Sequence, residues 1–150
     1  MRVIFGIFPL LAIPVIIYNL MAFTHGGGAD AAGVAISMAR QISDPTLSGW
    51  KLPMAGGEWI ITSGDLLVML SMVFFFVEIL KSTSTGSSTI ANHAVSMIVF
   101  IICLIEFLLL ENFATSVFFI LTLMCLLDVL AGVVVTIISA RRDFTVDGGH

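Results

Sequence analysis

Residues 113–139 read FATSVFFILTLMCLLDVLAGVVVTIIS. The stretch holds no Lys or Arg, and its one acid is Asp128. At ~1.5 Å of rise per residue, a helix over this run crosses the ~30 Å hydrocarbon core of a bilayer with length left for tilt or extension. Three further apolar runs precede it, Val3–Phe23, Ile60–Leu80 and Ala94–Leu110, all likewise free of Lys and Arg. Backbone groups in lipid must be paired within their own segment, which a helix achieves and an open sheet does not. The four runs predict an all-α membrane protein, an antiparallel bundle of four transmembrane helices at about 3–23, 60–80, 93–110 and 113–139. A short, partly structured outer loop (24–59) joins the first two helices, a linker (81–92) the next two, and a polar tail (140–150) follows.

Composition points the same way. Of the 150 residues, 59% are hydrophobic and 11% charged, against about 25% charged in a soluble domain. The mean hydropathy is +1.13. Intrinsic disorder, collagen-like repeats and a disulfide scaffold are excluded. The net charge is -4 and the few Lys and Arg are scattered, so no basic footprint for nucleic acid exists. Cys103 and Cys125 lie within apolar runs and read as small hydrophobes. A bridge between them requires two helices packed closely at that depth.

The first run starts after Arg2 like a signal peptide. It lacks a small-x-small cleavage site, carries Pro9 and Pro14 mid-run, and is longer than a usual signal core. It is expected as a retained, proline-kinked helix. If four helices alternate, Arg2, Lys81, Arg141 and Arg142 share one side. The positive-inside rule makes that side cytoplasmic, with both termini there, in a bacterial inner membrane. The turn at Glu111–Asn112 is too short for anything but antiparallel neighbours.

The outer loop opens with Gly26-Gly27-Gly28, followed by an expected amphipathic helix from Asp30 to Ile42, with Val34, Met38 and Ile42 on one line. Trp50 and Trp59 flank a Pro/Gly turn, the pattern of a small hairpin lying on the headgroup layer. Both tryptophans read as interfacial anchors in preference to a ligand-binding aromatic pair.

Ionisable residues inside the apolar runs are the main functional signal. Asp65 follows Thr62 by three residues and reads as a capping box at the start of a helix. Glu78 stands three residues before Lys81, as a snorkelled ion pair would, yet Gly64, Ser71 and Glu78 also repeat at seven and form a small, polar stripe suited to a helix contact. By depth His93 could meet Glu78 and Thr136. Glu106 could join Tyr18, Asn19 and Asp65 in an outer layer, or snorkel to water. Asp128 falls near mid-bilayer, level with Ser71 and Cys103, on a face with Cys125, Ala131 and Gly132. It is expected to be internally hydrogen-bonded, or else to handle a proton or cation or to contact another subunit.

No zinc-protease, nucleophile-elbow or phosphate-loop motif occurs, and the three histidines are not spaced to hold metal or haem. No catalytic residue, metal site or cofactor is expected. The general look, four spans with a tryptophan-bearing outer loop, resembles that of many small bacterial inner-membrane proteins, a likeness that carries no activity. Two functions fit. One is a non-enzymatic accessory or scaffold protein packing in the lipid bilayer against itself or a larger membrane complex. The alternative is a proton- or cation-conducting bundle, with Glu106/Asp65, Asp128/Ser71 and Glu78/His93 as outer, middle and inner polar layers.

Overall fold

In the computed structural model the chain is mostly helical, with three long apolar helices and a small two-stranded sheet. The structure describes residues 8–24, 37–54, 57–82 and 87–147, with side chains described outside 82, 87–90 and 139–147. Helix α1 spans Ala12–Thr24, α2 Met38–Ser43 and α3 Pro45–Ser48; strands β1 and β2 span Trp50–Met54 and Gly57–Ile61. Helices α4 (Ser63–Ser82), α5 (Ser87–Leu109) and α6 (Ser116–Asp147) follow, with a 3-10 turn at Glu111–Phe113 between the last two.

The apolar stretches of the long helices are Ser63–Lys81 (19 residues), Ala91–Leu109 (19 residues) and Ser116–Ile138 (23 residues). Each is long and apolar enough to cross a membrane. The start of α4 is fixed by a reciprocal cap. The Thr62 amide donates to Asp65 Oδ2 at 2.9 Å, and the Asp65 amide donates to Thr62 Oγ1 at 3.2 Å. The helix therefore starts after Ile61, which ends β2, and not at Ile60 as the apolar run alone suggested.

Contacts down the α5–α6 pair establish its direction. Phe107 stacks on Phe119 with ring centroids 5.5 Å apart near one end. Near the other, the His93 ring fills the space where a Cβ on Gly132 would stand. Residue numbers rise on one helix as they fall on the other, so the two are antiparallel. Helix α4 has its first turn against α6, where a Cβ on Gly64 would come within 2.8 Å of Val117.

Helix α1 differs from expectation. The described helix begins at Ala12 and is 13 residues long, and Phe8–Leu11 is a turn. The expected residues 3–7 lie outside the described residues. Proline explains the late start. Pro14 has no N–H and excludes the carbonyl four residues earlier from a helical turn, so it fits only the first turn. The backbone ahead of it is left with unused hydrogen-bonding groups, which side chains from α4 take up, as set out below. At ~1.5 Å per residue, α1 covers only about 20 Å.

The segment between α1 and α4 also differs. Ser37 has extended backbone (φ -67°, ψ 152°) and its hydroxyl accepts from the Arg40 amide, so α2 starts at Met38 and cannot be one continuous helix from Asp30. The expected contribution of Val34 lies outside the described residues. Met38 and Ile42 are buried and cap the end of the core where α4 starts and the 3-10 turn lies. Asp44 closes α2 and caps α3. The Thr46 hydroxyl and amide hold its carboxyl below the usual carboxylate range. The hairpin pairs Leu52 with Trp59 and Trp50 with Ile61. Period-two alternation puts Trp50, Leu52, Met54 and Trp59 on one face. Lys51 and Glu58 pair on the other at 2.9 Å.

The core is centred on Tyr18, Phe113 and Phe118, all buried. Their ring centroids lie 4.7–5.6 Å apart. The Tyr18 hydroxyl shares a hydrogen bond of 2.6 Å with Thr115 and donates to the Asn112 carbonyl at 3.0 Å, so the phenol is satisfied as well as buried. Tyr18→Phe should cost about 1 kcal/mol, the worth of a buried interhelical hydrogen bond. Tyr18→Ala should cost about 3–5 kcal/mol through the cavity it leaves. Reversible unfolding in mixed micelles measures both. Equal losses would mean that the hydroxyl, not the ring, carries this contact.

Candidate functional site

The last two turns of α4 carry Glu78 and Lys81. Glu78 is 0% exposed, yet every lone-pair direction it uses is answered. Its Oε1 accepts from Asn92 Nδ2 at 2.7 Å and Lys81 Nζ at 3.1 Å, and its Oε2 accepts from the Leu10 backbone amide at 2.8 Å. Lys81 Nζ also donates to Asn92 Oδ1 at 2.9 Å and to the Phe8 carbonyl at 2.7 Å. One acid, one amine and one amide side chain thus tie α4, α5 and the turn before α1. A buried carboxylate survives only when paired and hydrogen-bonded in this way.

A second polar group lies beside the first and is built differently. Asp128 is 1% exposed and sits one residue past Leu127, the midpoint of Ser116–Ile138. Ser96 (3% exposed) faces it from α5, with His93 and Glu78 as further electrostatic neighbours. Ser96 is the hydrogen-bonding neighbour of Asp128, yet among the described residues both Asp128 oxygens, both His93 ring nitrogens and the Ser96 hydroxyl are buried without a hydrogen bond of normal geometry. Gly132 makes this approach of α5 and α6 possible, because any Cβ there would overlap the imidazole. Asp128 and Gly132 are one turn apart on the same face of α6.

The other sequence-derived candidates are placed as follows. Ser71 is buried, but its hydroxyl donates to the Leu67 carbonyl of its own helix at 2.5 Å, so it makes no bond to Asp128. The stripe of Gly64, Ser71 and Glu78 points inward. His93 does not bond Glu78; Asn92, one residue earlier, does. Thr136 donates to the Gly132 carbonyl at 2.9 Å, not to His93. Asp65 is an exposed cap and belongs to no layer with Glu106. Glu106 accepts from Asn19 at 3.1 Å. Trp50 and Trp59 are 64% and 51% exposed on the hairpin. Cys103 and Cys125 are buried free thiols facing one another.

Sequence reasoning missed Asn92 and Ser96. Their signal was the polar and small series Asn92, Ser96, Cys103, which falls on one face of α5. Among the described residues no group of three or more His, Cys, Asp or Glu side chains is placed to hold a metal ion. An open groove of about 460 Å³ lies at the other end of the α5–α6 pair, lined by Phe107, Thr115, Ser116 and Phe119 among others. No protein-family model, curated protein or solved structure matches the chain.

Removing the Glu78 carboxylate leaves the Asn92 amide and the Leu10 N–H without their acceptor and takes one of three acceptors, and the counter-charge, from Lys81. Glu78→Ala should therefore destabilise by about 3 kcal/mol, the low end for breaking a buried pair, since Lys81 is 19% exposed and can turn to solvent. Glu78→Gln, which keeps an acceptor for Leu10, should lose less. Chemical unfolding of the detergent-solubilised chain orders the two. A harmless Glu78→Ala would show that α1 is held by its apolar face alone.

Proposed function

We propose that the chain is an integral membrane protein, a four-helix antiparallel bundle in which the short α1 completes the three long helices. Its role in this reading is that of a non-enzymatic accessory or scaffold protein, packing in the bilayer against itself or a larger membrane complex. The observation that carries the proposal is where the polar groups go. Glu78, Asn92, Ser96 and Asp128 are buried, while Met72, Phe76, Ile98, Ile105, Leu130 and Val134 are exposed on the flanks. Lipid asks for that distribution, and water opposes it.

A conducting bundle is the second reading, favoured by Asp128 and its unpartnered neighbours. It meets an obstacle in Cys103, Phe118, Leu121 and Cys125. These are all buried and make up a mainly apolar layer between Asp128 and the Tyr18, Asn19 and Glu106 groups. The layer's two buried hydroxyls, Ser71 and Thr122, are each bonded to a carbonyl of their own helix. A proton path would have to cross that layer, so the accessory role is preferred.

The bias of Arg2, Lys81, Arg141 and Arg142 supports cytoplasmic termini in a bacterial inner membrane. Reporter fusions after Ser84 and after Asp143 should read cytoplasmic, and one within 43–49 external. An external C-terminus would overturn the orientation or the span count. The exposed Trp50/Leu52/Met54/Trp59 face, one short connection from the start of α4, is proposed to lie among the headgroups. Lipids brominated near the headgroup should quench its fluorescence more than lipids brominated at the chain end; equal weak quenching would detach the hairpin from the membrane. Purification in native nanodiscs tests the role itself. A stoichiometric membrane partner or a homo-oligomer is expected. A lone monomer whose liposomes pass protons or cations above empty controls would replace it with conduction.

A further inference from the structure

We infer that His93, Ser96 and Asp128 form an internal proton-binding site, in which one proton is shared between the Asp128 carboxyl and the His93 imidazole through the Ser96 hydroxyl. Five polar atoms of these three residues are buried and, among the described residues, unpartnered. Buried polar atoms are nearly always satisfied, because each costs free energy when it is not. The neighbouring Glu78 group shows that this chain satisfies a buried acid fully when its task is only to hold helices together. Here it has not done so, and a glycine is placed to admit the imidazole.

Charge identifies the ligand. The titratable and charged groups near Asp128 are Glu78 and Lys81 from α4, His93 from α5 and Cys125 on its own helix. Helix α1 contributes none at this depth, since Tyr18 lies at the far end with Thr115. Lys81 is engaged with Glu78, Asn92 and the Phe8 carbonyl. Asp128 and His93 must therefore balance each other. With no proton the pair holds a bare carboxylate, and with two a bare cation, both costly away from water. With one proton it is neutral.

Ser96 stands one turn from His93 on α5 and faces Asp128, and a hydroxyl both donates and accepts. In one form the imidazolium donates to Ser96 Oγ and the Ser96 hydroxyl donates to the carboxylate. Moving both protons one step gives a carboxylic acid donating to Ser96 Oγ and a Ser96 hydroxyl donating to neutral imidazole. No electrons move, and the total stays one proton. Among the described residues, the mainly apolar layer of Cys103, Phe118, Leu121 and Cys125 stands on one side of the site, and the partly exposed Lys81 on the other. The site binds a proton from the Lys81 side without passing it on. The site does not depend on the accessory role.

The full chain in nanodiscs, titrated from about pH 5 to 9, tests the site. Infrared difference spectra follow the carboxyl, and nitrogen NMR of labelled histidine follows the imidazole. The protonated-carboxyl band should vanish in Asp128→Asn and persist in Asp65→Asn. In His93→Gln the midpoint of that band should move by at least about tenfold in proton affinity, one pH unit. The His93 midpoint should move by the same factor in Asp128→Asn, since coupling is reciprocal, and by a smaller one in Ser96→Ala. If Asp128→Asn fails to fold, the His93→Gln and Ser96→Ala measurements still decide. Midpoints that move less than twofold, or no titration of either group in this range, would overturn the site. A midpoint that shifts when sodium replaces choline at constant ionic strength would make a metal cation the ligand and overturn it equally.

Discussion

The Glu78 carboxylate is the tie on which the helix arrangement depends. It is fully buried, and its three donors come from three separate places: the Leu10 backbone, Asn92 on α5 and Lys81 on its own helix. A carboxylate withdrawn from water is tolerated only at a junction that supplies such donors. Proline makes the junction available. Pro14 fits only the first turn of a helix that starts at Ala12, so the Leu10 amide lies ahead of that helix, where Glu78 captures it. A local break in one helix thus becomes the long-range contact that places it against the others.

Two buried acids sit in the same half of the molecule and are treated in opposite ways. Glu78 has every hydrogen bond it needs, and it rigidifies. Asp128 faces His93 and Ser96, and no hydrogen bond of normal geometry is closed among them. The contrast separates structure from chemistry, because a satisfied network holds a geometry and an unsatisfied one invites a ligand. Gly132 is part of the same design. By yielding its side-chain volume to the His93 ring it lets α5 approach α6 where the polar atoms lie.

At the opposite end the packing is aromatic. Tyr18, Phe113 and Phe118 interlock, and Met38 and Ile42 join them from the segment between α1 and α4. Between the two ends runs a mainly apolar layer around Cys103, Leu121 and Cys125, and its two buried hydroxyls, Ser71 and Thr122, each donate to a carbonyl of their own helix. Scaffold and conductor are distinguished by this layer more than by the identity of any single acid.

The long helices were legible in the sequence because length and hydropathy are local: uninterrupted apolar runs without Lys or Arg leave few alternatives to helix. The Thr62–Asp65 cap, the hairpin between the tryptophans and the antiparallel α5–α6 pair followed from equally local signals. Helix α1 was overextended because hydropathy does not register a missing N–H, and the helix expected from Asp30 because Met38 and Ile42 keep their line whether or not Ser37 interrupts it. Depth counting put Glu78 level with His93 and Asp128 level with Ser71, in separate layers, and could not choose partners, since a rotation of one residue on a helix moves a side chain by ~100°. That rotation gave Glu78 to Asn92 instead of His93 and turned Ser71 onto its own backbone. The sequence by itself determined the three long apolar helices and named Glu78 and Asp128 among its candidate acids. Only the tertiary structure decided which acid is satisfied and which is left to bind, because hydrogen bonds between helices depend on their relative rotation, and no period along a single chain encodes it.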